Sequence, residues 1–159
     1  MQIVNVEGKK FKMAVKSAVR EALESLIDKE EGAPIVVSDR FTILPDGWIR
    51  DKKFGIEWGP SSSKRMNFSD AEKYCVSVGG RLPTSKELMS LIDHGRREPA
   101  TVEPFVKNTK TDDWYWSGTR CQWNSSCAWC VGFYGGSVGN GSEDGEYYVR
   151  PVRSSQYDS

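Results

Sequence analysis

The sequence predicts an α+β fold in which two helices pack on small antiparallel sheets, preceded by an N-terminal helix. Three observations lead to this prediction. Helical spacing and helix-capping residues mark three helices in the first hundred residues. Short β-branched runs separated by turn residues mark strands over residues 35–58. Alternation at period two over residues 129–134 is typical of a strand with one buried and one exposed face.

The length and charge of the chain limit the classes of function. A chain of 159 residues suits one main domain, and the pattern divides it into an N-terminal helical segment, residues 1–34, and a larger domain, residues 35–159. The formal net charge is +0, so no basic field favours nucleic acid or anionic lipid. We expect no nucleic-acid partner and no membrane insertion, since no apolar run approaches the roughly 18 residues of a membrane span.

The first element is a helix over residues 10–29, ended by Gly32 and Pro34. Its apolar positions at helical spacing are Phe11, Val15, Ala18, Val19, Ala22, Leu26 and Ile27. This stripe has two interpretations that periodicity cannot separate: packing on the domain that follows, or a subunit interface that makes a homo-oligomer.

Strands and two further helices follow. Residues 35–37 and 41–44 are strand-like, and Pro45, Asp46 and Gly47 have turn chemistry. Asn67 is positioned to cap a helix over residues 68–78 that ends at the glycines after it. Thr84 with Glu87 three residues later is a capping box, opening a helix that we expect to run to residue 95.

Residues 114–153 carry the strand on which the functional interpretation depends. Trp129, Val131 and Phe133 are large and apolar and are predicted to be buried. The residues between them are small or chemically mixed, and we expect them to face solvent. Such a face suits ligand display more than catalysis.

Ordered motifs in the same stretch resemble a known family. The matching residues are Tyr115, Trp116, Ser117, Gly118 and Thr119, then Ala128, Trp129, Val131, Phe133, Gly136 and Val138, and finally Tyr148, Val149, Arg150, Val152 and Arg153. They resemble the C-type-lectin-like domains of some bacterial adhesins and of the variable proteins of diversity-generating retroelements. Residues 41–58, and Arg81, Leu82, Pro83 and Thr84 with Glu87 and Leu88, extend the resemblance to about residues 38–153. It implies a C-type-lectin-like fold in a prokaryotic or viral protein.

The resemblance also implies a set of variable residues. In that family, mutation of adenines in asparagine codons yields a limited set of amino acids, without tryptophan, glutamine or glutamate. The candidate ligand-binding residues that fall in this set are Cys121, Asn124, Ser125, Ser126, Cys127, Cys130, Gly132, Tyr134, Ser137, Gly139 and Asn140. Gln122, Trp123 and Glu143 fall outside it and should be constant. Tyrosine, serine, glycine and asparagine are also the residues that antibody paratopes favour.

Catalysis, cofactors and metals have little support in the sequence. His94 is the only histidine, and we expect it to be a cation near a helix C-terminus. Zinc held by His94 with Cys121, Cys127 and Cys130 is an open alternative, but the ligands do not form paired knuckles. No nucleophile motif, cofactor loop or complete calcium motif is present. We therefore expect a protein that is not an enzyme, with no cofactor and no metal.

The expected function is ligand binding by a display protein whose lectin-like surface is diversified by a retroelement. The partner would be a protein or glycan on another cell or particle. The alternative is an adhesin or structural module that uses the same fold without diversification. Without a visible signal peptide or membrane span, we expect a cytoplasmic location by default, or carriage on a virion or cell surface, with reduced cysteines.

Overall fold

A computed structural model describes residues 19–20 and 32–156. The predicted N-terminal helix lies almost wholly outside the described residues. Chain contacts divide the molecule into Met1–Pro34 and Ile35–Ser159, and the description below concerns the second unit. Within the described residues no helix has both the length and the apolar character needed to cross a membrane.

The first sheet joins the two ends of this unit. Its strands are β1 (Ile35–Val36), β2 (Phe41–Ile43), β3 (Ile49–Asp51), β4 (Ile56–Trp58) and β8 (Val152–Ser154), in the spatial order β1-β2-β3-β4-β8, all antiparallel. The predicted turn between β2 and β3 is present, because Gly47 donates its N–H to the carbonyl of Leu44 at 2.9 Å with φ of +88°. That conformation suits a residue without a Cβ.

The two predicted capping residues both cap helices. Helix α1 (Phe68–Ser77) begins where Asn67 Oδ1 accepts the N–H of Asp70 at 2.9 Å, and Gly79 follows its end with φ of +82°. Helix α2 (Ser85–Met89) begins at the capping box of Thr84 and Glu87. These caps satisfy backbone N–H groups that have no partner inside the helix.

The second helix is shorter than predicted. It ends at Met89 rather than at residue 95, because the chain beyond it turns to pair with a later segment. Ile92 forms a β-bridge with Thr101, and Asp93 donates its N–H to the carbonyl of Ala100 at 3.0 Å. His94 therefore does not lie at the end of a helix, contrary to the prediction.

The second sheet carries the predicted site. Its strands β5 (Trp114–Cys121), β6 (Asn124–Gly132) and β7 (Ser137–Ser142) lie in the order β5-β6-β7 and are antiparallel. Cross-strand partners share a face of a sheet. One face therefore holds Tyr115, Val131 and Val138, and the opposite face holds Trp116, Cys130 and Gly139.

Two hydrophobic clusters cover the two faces of this sheet. The first contains Tyr115, Val131 and Phe133 together with residues of the five-stranded sheet and α2. The second contains Trp116 and Ala128 together with the buried side of α1. The middle of β6 is consequently buried on both sides.

The predicted α+β class is wrong. The described residues are mostly β, in two antiparallel sheets, with α-helices of only ten and five residues. The helix-start signals were correct, but they do not determine helix length, which the pairing of Ile92 with Thr101 limits here.

Candidate ligand-binding surface

The turn between β5 and β6, with the start of β6, forms a protruding hairpin tip, residues 122–126. Cys121 pairs with Asn124, whereas Arg120 pairs with Ala128, so residues 125–127 are extra on the β6 side and form a bulge. A disulfide between Cys121 and Cys127 closes this bulge. The expectation of reduced cysteines is wrong for this pair, because the bulge brings the two Cα atoms to 5.5 Å.

Arg120 also holds the bulge in place. Its Nη1 donates to the carbonyl of Ser125 at 3.0 Å and to Oε2 of Glu143 at 3.0 Å. Its guanidinium lies 3.8 Å from the centroid of the Phe68 ring in α1. The Glu143 N–H donates to the carbonyl of Ser126 at 2.8 Å. The tip is therefore connected to α1 and to the end of β7.

Six of the eleven predicted site residues are exposed. They are Asn124, Ser125 and Ser126 at the hairpin tip, and Tyr134, Ser137 and Asn140 in and after the β6–β7 turn. They lie toward the two ends of β6 and on β7, and not in a continuous stripe along β6. The exposed part of the predicted site is thus divided between two regions of the sheet.

The three cysteines of the predicted site are buried, which contradicts the prediction that they face a ligand. Cys121 and Cys127 form the disulfide. Cys130 is 2% exposed because it pairs with Trp116 on the face that the second cluster covers. Burial, together with the negative charge of Asp113, raises the pKa of the Cys130 thiol to about 12. This thiol is therefore protonated and unreactive at neutral pH.

The two predicted site glycines on the sheet, Gly132 and Gly139, lie under an aromatic ring. A Cβ at Gly132 would come within 3.3 Å of Trp114, and a Cβ at Gly139 within 3.2 Å of the same ring. A larger side chain at either position requires Trp114 to move. These two residues are half-buried and are not the free display positions that the sequence predicted.

Trp129 departs from its predicted role as a buried scaffold residue. It is half-buried, because it lies beyond the end of the first cluster. Its ring meets that of Trp123 at 5.6 Å in a T-shaped contact, and Trp123 is 66% exposed at the hairpin tip. The predicted scaffold residues Trp116, Val131 and Phe133 are buried as expected.

The β6–β7 turn packs against the segment after α2. Gly136 has φ of +81° and its carbonyl lies 2.9 Å from Nε2 of His94. Arg97 donates to the Tyr134 hydroxyl at 3.1 Å, and its guanidinium lies 4.9 Å from the centroid of the Tyr134 ring. Tyr134 is 44% exposed, and its side chain is restrained by the Arg97 guanidinium.

Beside Tyr134 the surface contains an open cleft of about 330 Å³, which we call the aromatic cleft. Its lining includes Asp112, Asp113, Trp114, Gly132, Tyr134 and Ser137. Asp113 accepts from Arg65 at 2.8 Å, and Asp112 accepts the Tyr148 hydroxyl at 3.1 Å. Burial, then the hydrogen bond to Asp112, raises the pKa of Tyr148.

The zinc site considered from the sequence does not form. Two of its four proposed ligands are joined in the Cys121–Cys127 disulfide, and the third, Cys130, is buried elsewhere in the sheet. Across the described part of the chain, no group of three or more His, Cys, Asp or Glu side chains is arranged to hold a metal ion.

Sequence reasoning missed the residues that shape the aromatic cleft. Trp114 precedes the family motif by one residue, and its spacing to the later glycines could not reveal that it covers them. Arg97 contacts Tyr134 across 37 residues, and no local pattern points to that contact. Arg65 neutralises Asp113 in the same way, across 48 residues.

Comparison with protein families gives one match. Residues 47–153 match the family described as the Lcl C-terminal domain, which covers most of the second unit. Searches of curated proteins and of solved structures find no match. The matched range includes α1, α2, the whole three-stranded sheet, the second cluster and all of the first cluster except Phe41 and Ile43. The chain belongs to the Lcl C-terminal domain family, and its matched region is a C-type-lectin-like, ligand-binding domain of the adhesin type.

Proposed function

We propose that this lectin-like domain is the variable protein of a diversity-generating retroelement, and that its diversified residues bind protein or glycan targets on another cell or particle. The single observation that carries the proposal is that six residues are exposed around a buried scaffold and belong to the set that adenine mutation of asparagine codons can produce. Changes at these positions would leave both clusters intact. The proposed variable set is therefore narrower than the sequence predicted: Asn124, Ser125, Ser126, Tyr134, Ser137 and Asn140.

Binding rather than catalysis is part of the proposal. His94 is used in a contact with the Gly136 carbonyl, and the Cys130 thiol is buried and protonated. The Cys130 thiol is therefore not an exposed nucleophile, and Nε2 of His94 is engaged by a backbone carbonyl rather than by a nucleophile. We therefore propose that the partner is bound non-covalently and is not chemically changed.

The second candidate is an adhesin or structural module on the same fold without diversification. Five of the predicted variable residues favour it, because random change at the buried Cys121, Cys127 and Cys130, or at Gly132 and Gly139 under the Trp114 ring, would damage folding. Under this alternative the exposed residues form one constant binding surface.

The coding DNA tests between the two candidates. We expect a nearby near-repeat of the segment encoding residues 120–141, differing from it only where the repeat has adenine, beside a reverse transcriptase gene. Differences should fall in the codons of the six exposed residues. Differences at non-adenine positions, or a locus without a repeat, would contradict the diversification hypothesis and favour the adhesin with a constant surface.

Binding itself is tested with the protein. Tyr134→Ala should change the free energy of unfolding by less than about 1 kcal/mol, because the ring is largely outside the core. If the domain binds through this region, the variant should still weaken capture of a target selected by screening the full chain against protein and glycan arrays. Unchanged capture by Tyr134→Ala and by Asn124→Ala would place the binding surface elsewhere.

A further inference from the structure

We propose that the aromatic cleft receives a single cationic side chain, a lysine or arginine of a protein partner, between Trp114 and Asp112. The inference rests on the proposed ligand-binding role of this end of the sheet and names the chemistry that it recognises. Three features of the cleft support it: its size, its aromatic wall and the disposition of charge around it.

The size of the cleft suits one side chain. A volume of about 330 Å³ is near the lower end of the range for ligand sites, which run from roughly 300 to 1,000 Å³. A single elongated side chain with a charged end fits such a space. The cleft is open to solvent, so a side chain projecting from a partner surface can enter it.

Trp114 supplies the aromatic wall. Its ring lies over the backbone of Gly132 and Gly139, so one side of the indole is fixed against the sheet. Its remaining accessible part lines the cleft. An indole is the best aromatic partner for a cation, and a ring held against a sheet loses little entropy when a ligand binds.

The two carboxylates that line the cleft, Asp112 and Asp113, have different partners. Asp113 is engaged by Arg65 at 2.8 Å and also accepts the N–H of Trp114 at 2.8 Å. Asp112 is exposed and accepts the Tyr148 hydroxyl, and Arg65 acts on it through space without a close ion pair among the described residues. A cation beside Trp114 would therefore meet the Asp112 carboxylate within the same cleft.

The molecule already contains the proposed contact once. Arg97 lies 4.9 Å from the centroid of the ring of Tyr134, a residue that lines the cleft, and donates to its hydroxyl at 3.1 Å. This pair shows that a guanidinium stem reaches an aromatic ring here without displacing the sheet. A ligand cation would make the matching contact with Trp114 on the other side.

The test is a nuclear magnetic resonance titration of the full chain with capped small molecules. The probe is Nα-acetyl-lysine methylamide, and its uncharged counterpart is Nα-acetyl-norleucine methylamide. We expect saturable shifts of the Trp114 indole N–H and of the Gly132 and Ser137 amides with the lysine probe, with a dissociation constant of roughly millimolar. The norleucine probe should cause no saturable shift.

Variants assign the effect to the cleft. Asp112→Asn keeps an acceptor for the Tyr148 hydroxyl but removes the charge, and it should weaken lysine binding by about two- to fivefold. Asp144→Asn removes an exposed carboxylate outside the cleft and should leave binding unchanged. Trp114→Phe keeps a ring and should weaken binding less than Asp112→Asn does.

Four results would overturn the inference. They are no saturation with the lysine probe, equal binding of the norleucine probe, equal weakening by Asp144→Asn, and saturable binding of methyl glucoside in place of lysine. None of these results bears on the coding-DNA comparison, so failure here is separate from failure of the proposed diversification.

Discussion

Exposure to solvent differs more between the beginning and the middle of strand β6 than between its two faces. Residues 124–126 are all exposed, whereas residues 127–131 are buried or half-buried whichever face they occupy. Residues 124–126 lie at the hairpin tip, where the bulge begins. The middle of the strand lies between the two hydrophobic clusters. Tolerance to substitution should therefore change along the strand rather than alternate across it.

This difference teaches how a small β domain can present a changeable surface. A strand covered on both sides has no free face, so variable residues must lie where it leaves the core. The disulfide and Arg120 keep the exposed tip in a defined shape although few apolar contacts hold it. Preorganisation of this kind lowers the entropy lost on binding.

The largest expected effect is at the middle of the sheet. Trp116→Ala should lower the free energy of unfolding by about 3–5 kcal/mol, measured by chemical denaturation. Trp116 is 0% exposed, packs edge-on against Phe68 and donates to the Met66 carbonyl at 2.9 Å. Trp123→Ala at the tip is the matched control and should cost far less. Equal losses in the two variants would erase the contrast between middle and tip.

Removing the disulfide should act on the tip. The double variant Cys121→Ser/Cys127→Ser should lower the free energy of unfolding by about 2 kcal/mol, because the unfolded chain regains the freedom of a short closed loop. Hydrogen exchange should rise at residues 122–127 and stay unchanged in α1. Wild-type protein treated with dithiothreitol should behave in the same way, and exchange that rises throughout the domain would argue against a local role.

Glycine positions sharpen the comparison within β7 and its turn. Gly141→Ala should cost about 1–3 kcal/mol, because its Cβ would lie 2.6 Å from the Tyr147 ring. Gly135→Ala has nothing within 4 Å of the added Cβ and should be nearly neutral. Thermal unfolding of the two variants makes the comparison. A neutral Gly141→Ala would mean that the Tyr147 ring moves easily and that this face tolerates side chains.

The smallest expected effect is at the tip itself. Ser126→Tyr should change the free energy of unfolding by less than about 0.5 kcal/mol, since the side chain points into solvent. Cys130→Tyr, the same new side chain four residues later, should lower the free energy of unfolding by about 1–3 kcal/mol because it overfills a closed space beside Trp116. Soluble yield and denaturation curves distinguish the two outcomes. A stable Cys130→Tyr protein would restore the display role first predicted for that residue.

Features that depend on neighbouring residues were predictable from the sequence. The covering of a strand face by segments distant in the chain was not. The caps at Asn67 and Thr84 involve partners three residues away, so sequence spacing reveals them. The burial of Cys130 depends on α1 and on a segment near Tyr147, both distant in the chain. Period-two alternation identified the buried Val131 and Phe133 but could not show that the other face is covered as well.

The cysteine pairing was missed for a similar reason. Without an apparent export signal, reduced thiols were the reasonable expectation. The disulfide depends on a three-residue bulge whose register only the folded hairpin reveals. The α+β class was wrong because helix starts were clear and the early end of α2 was not.

Saturation mutagenesis of residues 124–134, read out by resistance of the folded chain to protease, tests the central claim most directly. We expect broad tolerance at residues 124–126 and at Tyr134, and intolerance from Cys127 to Gly132 on both faces of β6 and at Phe133 after it. Tolerance that alternates at period two, with Cys130 and Gly132 accepting large side chains while Trp129 and Val131 do not, would contradict it.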